Sequence, residues 1–219
     1  YKNTIPFIFD GFRLNNATAP SDIAALFSIM VNRQFSVAWL QGQKTSLHNR
    51  FDMLFKKNWQ AIDTITGKLS LPQQQHVKSL YEFIETTFTI KPDLDLKTLY
   101  QKLVMPSYGL NDCSFALILG LYLAQETPQY RILYQGKPKN IAEWVNLVLN
   151  KKTGTLLSLD ILAHTQLQKM EMSTRDEWIL LFKQWSQESH PKKMIDIFQS
   201  IENKKKIDPI PLDLEVQYN

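Results

Sequence analysis

From Phe115 to Ala124 the chain reads Phe-Ala-Leu-Ile-Leu-Gly-Leu-Tyr-Leu-Ala, with no charged side chain anywhere in the run. A helix written this way has no polar side to turn toward water, so other elements must be wrapped around it on every face. The run falls well short of the roughly 20 residues that a membrane-spanning helix needs, so the cover has to be protein. Tyr108-Gly109 supplies a turn ahead of it, and Asn111 or Asp112 an N-cap. The pattern predicts a helix from Cys113 to Gln125 at the centre of the core.

The rest of the chain supplies the cover. Ile23, Leu26, Phe27, Met30 and Val31 share one helical face behind Ser21 as N-cap. Leu47, Phe51, Leu54, Phe55, Trp59 and Ile62 predict a helix from Ser46 to about Asp63, ended by a turn at Thr66-Gly67. After Pro72, Val77, Leu80, Tyr81, Ile84 and Phe88 form another stripe, broken at Lys91-Pro92 because the residue before proline is pushed out of helical geometry. Leu96, Leu99, Tyr100, Leu103 and Val104 repeat the pattern.

Beyond the apolar run, Tyr130–Tyr134 reads as a strand turning at Gly136, 140–150 as a helix capped by Asn140 with Glu143, and 155–162 as a second strand. Two helices follow. One starts at Ser173 with Trp178, Leu181, Phe182 and Trp185 inward, and one follows Pro191 with Met194, Ile197, Phe198 and Ile201 inward. The tail from Ile207, with two prolines and alternating apolar residues, reads as extended or as an edge strand, and Ile5–Phe9 is strand-like. The expected fold is mainly α with a small β component: a helical domain over 1–91, a compact α+β unit over 92–170, and C-terminal helices with an extended tail over 171–219.

Composition closes off several classes. The 44% hydrophobic and 21% charged fractions, with 12 Phe, 8 Tyr and 5 Trp, are those of a globular chain with a sizeable core. Seven glycines are few for a fold built on tight turns. The one cysteine, Cys113, lies in an apolar setting, which excludes an internal disulfide and fits a buried hydrophobe in a reducing, cytoplasmic compartment. The opening at Tyr1, with no leader-like segment, reads as a soluble piece cut from a longer chain.

Catalytic signatures are missing. No phosphate-binding loop occurs: Gly67-Lys68 is followed by Leu69, and Gly42-Gln43-Lys44-Thr45 lacks the required spacing. His48, His76, His164 and His190 fall in no zinc-ligand spacing, and His48, Arg50 and Asp52, two residues apart in turn, point away from one another on a helix. Asp213-Leu214-Glu215-Val216-Gln217 echoes the acidic strand of metal-dependent nucleases, but Gln217 stands where a lysine is needed. The expectation is a chain with no enzyme activity, cofactor or metal.

The net charge of +4 permits contact with a polyanion. Lys137 and Lys139 flank the turn after the first strand, and Lys151 and Lys152 end the following helix, so a compact α+β unit can bring all four to one edge. These are the candidate nucleic-acid-binding residues. The competing reading is that they solvate loops and complement a helix C-terminus.

The stretch Leu103-Val104-Met105-Pro106-Ser107-Tyr108-Gly109-Leu110-Asn111-Asp112, running into the apolar helix, resembles a segment of very large bacterial P-loop ATPases. Many of these are encoded in phage-defence loci of the BREX type. There a Pro-x-Tyr-Gly-Leu turn opens a buried helix in a winged-helix-like region beyond the ATPase core. The clear part of the resemblance covers Leu96 to Leu162, with Phe9-Asp10-Gly11-Phe12-Arg13 as a fainter second match. It implies an accessory, non-catalytic interaction module of a large intracellular bacterial ATPase, whose partners are the rest of a larger polypeptide or other proteins. The alternatives are a nucleic-acid-binding module and a nuclease fragment. No membrane contact is expected.

Overall fold

The computed structural model describes residues 19–105, 108–125, 130–149, 156–169, 172–207, 210–211 and 214. It is mostly helical, with one small antiparallel sheet. In chain order the first helices are α1 (Ala19–Val31), α2 (Val37–Gln41), α3 (Thr45–Phe51), α4 (Gln75–Ile90), α5 (Leu96–Val104) and α6 (Asp112–Ala124). Then come β1 (Tyr130–Tyr134), β2 (Lys137–Pro138), α7 (Ile141–Val148), α8 (Leu159–Ala163), β3 (Thr165–Lys169), α9 (Met172–Gln187) and α10 (Pro191–Ile207). No described helix is long and apolar enough to cross a membrane.

The apolar run is the centre of the core. Every residue of α6 from Cys113 to Leu123 is buried. A capping box holds its start: the Asn111 side chain accepts from the Cys113 and Ser114 amides, and the Ser114 hydroxyl reaches back to the Asn111 amide at 3.0 Å. Its other end is held from α1. Arg33, in the left-handed region at φ 54°, donates from Nε to the Leu123 carbonyl at 3.3 Å and from a terminal nitrogen to the Gln125 carbonyl at 2.6 Å. A guanidinium on the last carbonyls satisfies acceptors that the helix leaves open and opposes the negative end of its dipole.

α1 is the principal neighbour of α6. They approach at Gly120, where an added Cβ would lie 2.8 Å from Met30 Cε and 3.3 Å from a Phe27 ring carbon. The expected face of α1, Ile23, Leu26, Phe27, Met30 and Val31, is buried throughout. One buried cluster runs from Ile23 to Leu167 and includes residues on both sides of the Lys91-Pro92 break.

The stripe predicted as one α-helix from Ser46 is α-helical only to Phe51 and widens into a π-helix over Asp52–Asn58. The spacing of its largest residues explains the change. Leu47, Phe51, Phe55 and Trp59 recur every four residues and all are buried. In an α-helix such a series drifts by about 40° per step. A wider turn takes up that drift, and Phe35, Phe51, Phe55 and Trp59 form a ladder with centroids 4.8 to 4.9 Å apart.

The sheet has the order β2-β1-β3, with β1 antiparallel to both neighbours. Gln135 at φ 52° and Gly136 at φ 71° make the two-residue turn of the β1–β2 hairpin, whose positive dihedrals match strand twist. The second strand predicted at 155–162 is not there. Leu157 makes a single bridge with Leu149, Leu159–Ala163 is helical, and the strand that pairs with β1 is Thr165–Lys169. The Ser158 hydroxyl accepts from the Ile161 amide, an N-cap that starts a helix where the apolar run alone looked like a strand. The hairpin follows α5 and α6 and precedes the α7–α8 pair. A buried hydrogen bond from Trp144 Nε1 to Thr165 Oγ1, at 3.0 Å, ties α7 to β3.

α9 and α10 close a second, smaller cluster of Trp178, Phe182, Ile201 and Leu214. Leu214 belongs to the tail, and its amide donates to the Pro211 carbonyl at 3.0 Å. The strand-like Ile5–Phe9 and the Phe9–Arg13 match lie outside the described residues.

Candidate functional site

Two features stand apart from ordinary apolar packing: a tyrosine–carboxylate cluster beside α6 and an apolar edge on α10. The first is assembled by three elements. α4 contributes Glu85 and Tyr81, α6 contributes Tyr122, and β1 contributes Tyr130. The Tyr122 hydroxyl donates to Glu85 Oε2 at 2.6 Å, the Tyr130 hydroxyl lies 3.2 Å from the same oxygen, and the two hydroxyls are 2.6 Å apart. Lys169 of β3 places its ammonium 3.5 Å from Glu85 Oε1.

Burial pushes the Tyr122 and Tyr130 hydroxyls far above the usual phenol range, and the adjoining carboxylate adds to the effect by opposing a second negative charge. Both therefore stay protonated at any physiological pH and serve as donors rather than bases. Tyr81 packs its ring 5.1 Å from that of Tyr122, and its buried hydroxyl finds no hydrogen-bond partner among the described residues. A cleft of about 250 Å³ opens beside it, lined by Leu71, Pro72, Tyr81, Glu82 and Glu85 among others. The Tyr81 hydroxyl oxygen is itself buried, and the Glu85 oxygens are engaged by Tyr122, Tyr130 and Lys169. The cluster is arranged to fasten α4, α6 and the sheet together.

The lysines expected at one edge are only partly placed. Lys137 begins β2 and is exposed. Lys139 sits 2.5 Å from Glu143 Oε2 and is engaged within its own unit. Lys151 and Lys152 lie outside the described residues. Arg50 turns inward to Asp22 at 3.2 Å, a buried pair joining α1 to α3, whereas His48 and Asp52 lie 3.7 Å apart on the outer side. The separation of Arg50 from both follows the two-residue spacing, and the meeting of His48 with Asp52 follows their four-residue spacing. Among the described residues no group of three or more histidine, cysteine or carboxylate side chains could hold a metal ion. Cys113 is free and buried, and burial raises its thiol pKa. Of the acidic tail motif, Leu214 is buried in the second cluster and the other positions lie outside the described residues.

The second feature is where the expected inner face of α10 fails. Ile201 is buried and Ile197 is partly so, but Phe198 is 50% exposed and its neighbour Ile195 is 57% exposed. Phe198 rests against Trp185 of α9 with centroids 5.8 Å apart. Ile195 and Phe198 thus make an apolar edge that the hairpin's own core leaves uncovered, bordered by Trp185, which is partly buried against that core. Sequence periodicity places Phe198 inward because it falls within a turn of both Met194 and Ile201. The short arc that α9 covers accounts for the difference. Comparison of the chain with protein-family models, with curated proteins and with solved structures gives no match.

Proposed function

We propose that this chain is a non-catalytic interaction module, and that it serves as an accessory region of a large intracellular bacterial ATPase. The observation that carries the first half is the apolar edge of Ile195, Phe198 and Trp185. Single exposed apolar residues are ordinary on any protein, but Ile195 and Phe198 are 57% and 50% exposed within one turn of the same helix, with Trp185 against the Phe198 ring, and such a continuous apolar patch marks a surface that a partner covers. The tyrosine–glutamate cluster supports the same reading, because the Tyr122 and Tyr130 hydroxyls and the Glu85 carboxylate are spent on fastening helices to the sheet. The ATPase context rests on the Pro106-to-Leu110 turn resemblance. Gly109 there sits at φ 65°, a left-handed position that glycine suits, and Tyr108 packs on Phe83 at 4.9 Å ahead of the capped, buried α6.

The test is site-specific photocrosslinking in cells. A benzophenone amino acid at position 198 should give a discrete protein adduct, and the same group at exposed Lys137 on β2 should not. Equal labelling at both positions, or none at 198, overturns the reading.

A further inference from the structure

The partner of that edge can be read from α10 itself, given the interaction-module reading above. We propose that α10 pairs antiparallel with α10 of a second copy of this chain, through Ile195 and Phe198 on a twofold axis.

The outward stripe of α10 reads Lys192, Ile195, Phe198, Glu202, with Lys192, Ile195, Phe198 and Glu202 all exposed. These positions are three or four apart and neighbour one another along one side of the helix. The two termini of the stripe carry opposite charges, and that is what selects the partner. If two such helices run antiparallel about a point midway between Ile195 and Phe198, each Ile195 faces the other copy's Phe198. At 1.5 Å of rise per residue, Lys192 then stands about 7 Å from the axis on one side and Glu202 about 8 Å on the other. The pairing therefore sets each Lys192 opposite a Glu202 of the second copy, twice over. A parallel arrangement would put lysine against lysine and glutamate against glutamate.

The stripe is thus complementary to itself under a twofold rotation, as an isologous interface requires. Trp185, whose ring lies tilted against that of Phe198, widens the apolar centre. Two ion pairs around a few apolar residues make a small interface of the transient class, with dissociation constants of about 100 µM.

Sedimentation of the whole 219-residue chain from about 10 µM to about 1 mM reads this directly. The expected result is a reversible monomer–dimer equilibrium. Phe198→Asp should leave only monomer across that range with its thermal transition intact, since the side chain is half-exposed. Lys192→Glu should weaken the dimer about fivefold by setting glutamate against glutamate, and Lys192→Glu combined with Glu202→Lys should restore it. A chain monomeric at every concentration overturns the proposal. So does a dimer that Phe198→Asp leaves unchanged, or a double variant no stronger than the single one. The crosslink at position 198 separates this from the broader reading. An adduct of twice the chain mass supports self-pairing. An adduct with a different protein from a monomeric chain sinks self-pairing and leaves the module standing, and the absence of any adduct removes both.

Discussion

Tyr122 carries a hydroxyl into the core, and its two partners decide what the residue is worth. Tyr122→Phe keeps the ring contacts with Tyr81, Phe88 and Tyr130 but removes the short bond to Glu85. The expected loss is about 1.5–3 kcal/mol, the range for a hydrogen bond to a charged acceptor, read as a shift in denaturant midpoint at unchanged slope. The same hydroxyls set the alkaline limit of the fold. In the unfolded chain a tyrosine ionises near pH 10, whereas burial and Glu85 hold Tyr122 and Tyr130 protonated well above that. Above pH 10 the unfolded state therefore binds fewer protons than the folded one, so stability falls as pH rises. It should be flat through neutral pH as far as these two groups are concerned, then decline by about 1.4 kcal/mol per pH unit for each. Tyr122→Phe should remove one such contribution and make the decline shallower. An alkaline slope identical in the variant and the parent would show that Tyr122 ionises freely in the folded chain.

At the scale of elements, the contact between α1 and α6 turns on Gly120. Its Cβ position is hemmed by Met30 and Phe27, one a flexible side-chain end and the other a ring. Gly120→Ala should stay within about 1 kcal/mol of the parent, because the gain in helix propensity offsets a small shift of Met30. Gly120→Val adds two branches against the Phe27 ring and should cost about 2–3 kcal/mol by overpacking. Equal melting temperatures for the two variants would mean that the helices separate freely there. That α6 is central was legible in its sequence, since no other arrangement covers so many apolar side chains. The N-caps at Asn111 and Asn140 were legible too, and so was the turn at Gly136. The π-helix was not, because a stripe at four-residue spacing satisfies an α-helical template until the width of the packed rings is known. The misplaced strand has a related cause: a short apolar run from Leu156 to Leu162 fits both periods, and only the Ser158 cap settles it.

At the scale of the molecule, what the sequence withheld is whatever depends on distant partners. Glu85 and Tyr130 lie 45 residues apart and meet only because α4 and β1 flank α6, so no local pattern could have announced the cluster. The exposure of Phe198 likewise depends on how much of α10 the neighbouring helix covers. The break at Lys91-Pro92 was legible as the end of α4, yet the buried cluster continues across it. The stripe of α1 is completed by α6, and Arg33 reaches across the same break, to a residue 90 positions further on, to close the α6 C-terminus. A fragment of residues 1–91 would therefore strip α1 of its α6 cover, and its Ile23, Phe27 and Met30 are among the side chains most fully buried in the intact chain. At roughly 25 cal/mol per Å² of apolar surface, losing several such side chains removes more free energy than a domain of this size holds in reserve. The fragment should show no cooperative thermal transition and should bind a hydrophobic dye. A fragment ending at Lys169 retains α6, the sheet and every described residue of the larger cluster, and should melt cooperatively. If 1–91 alone gave a sharp transition, the helices before the break would have to own a core independent of α6, and the central place argued for that helix would fall.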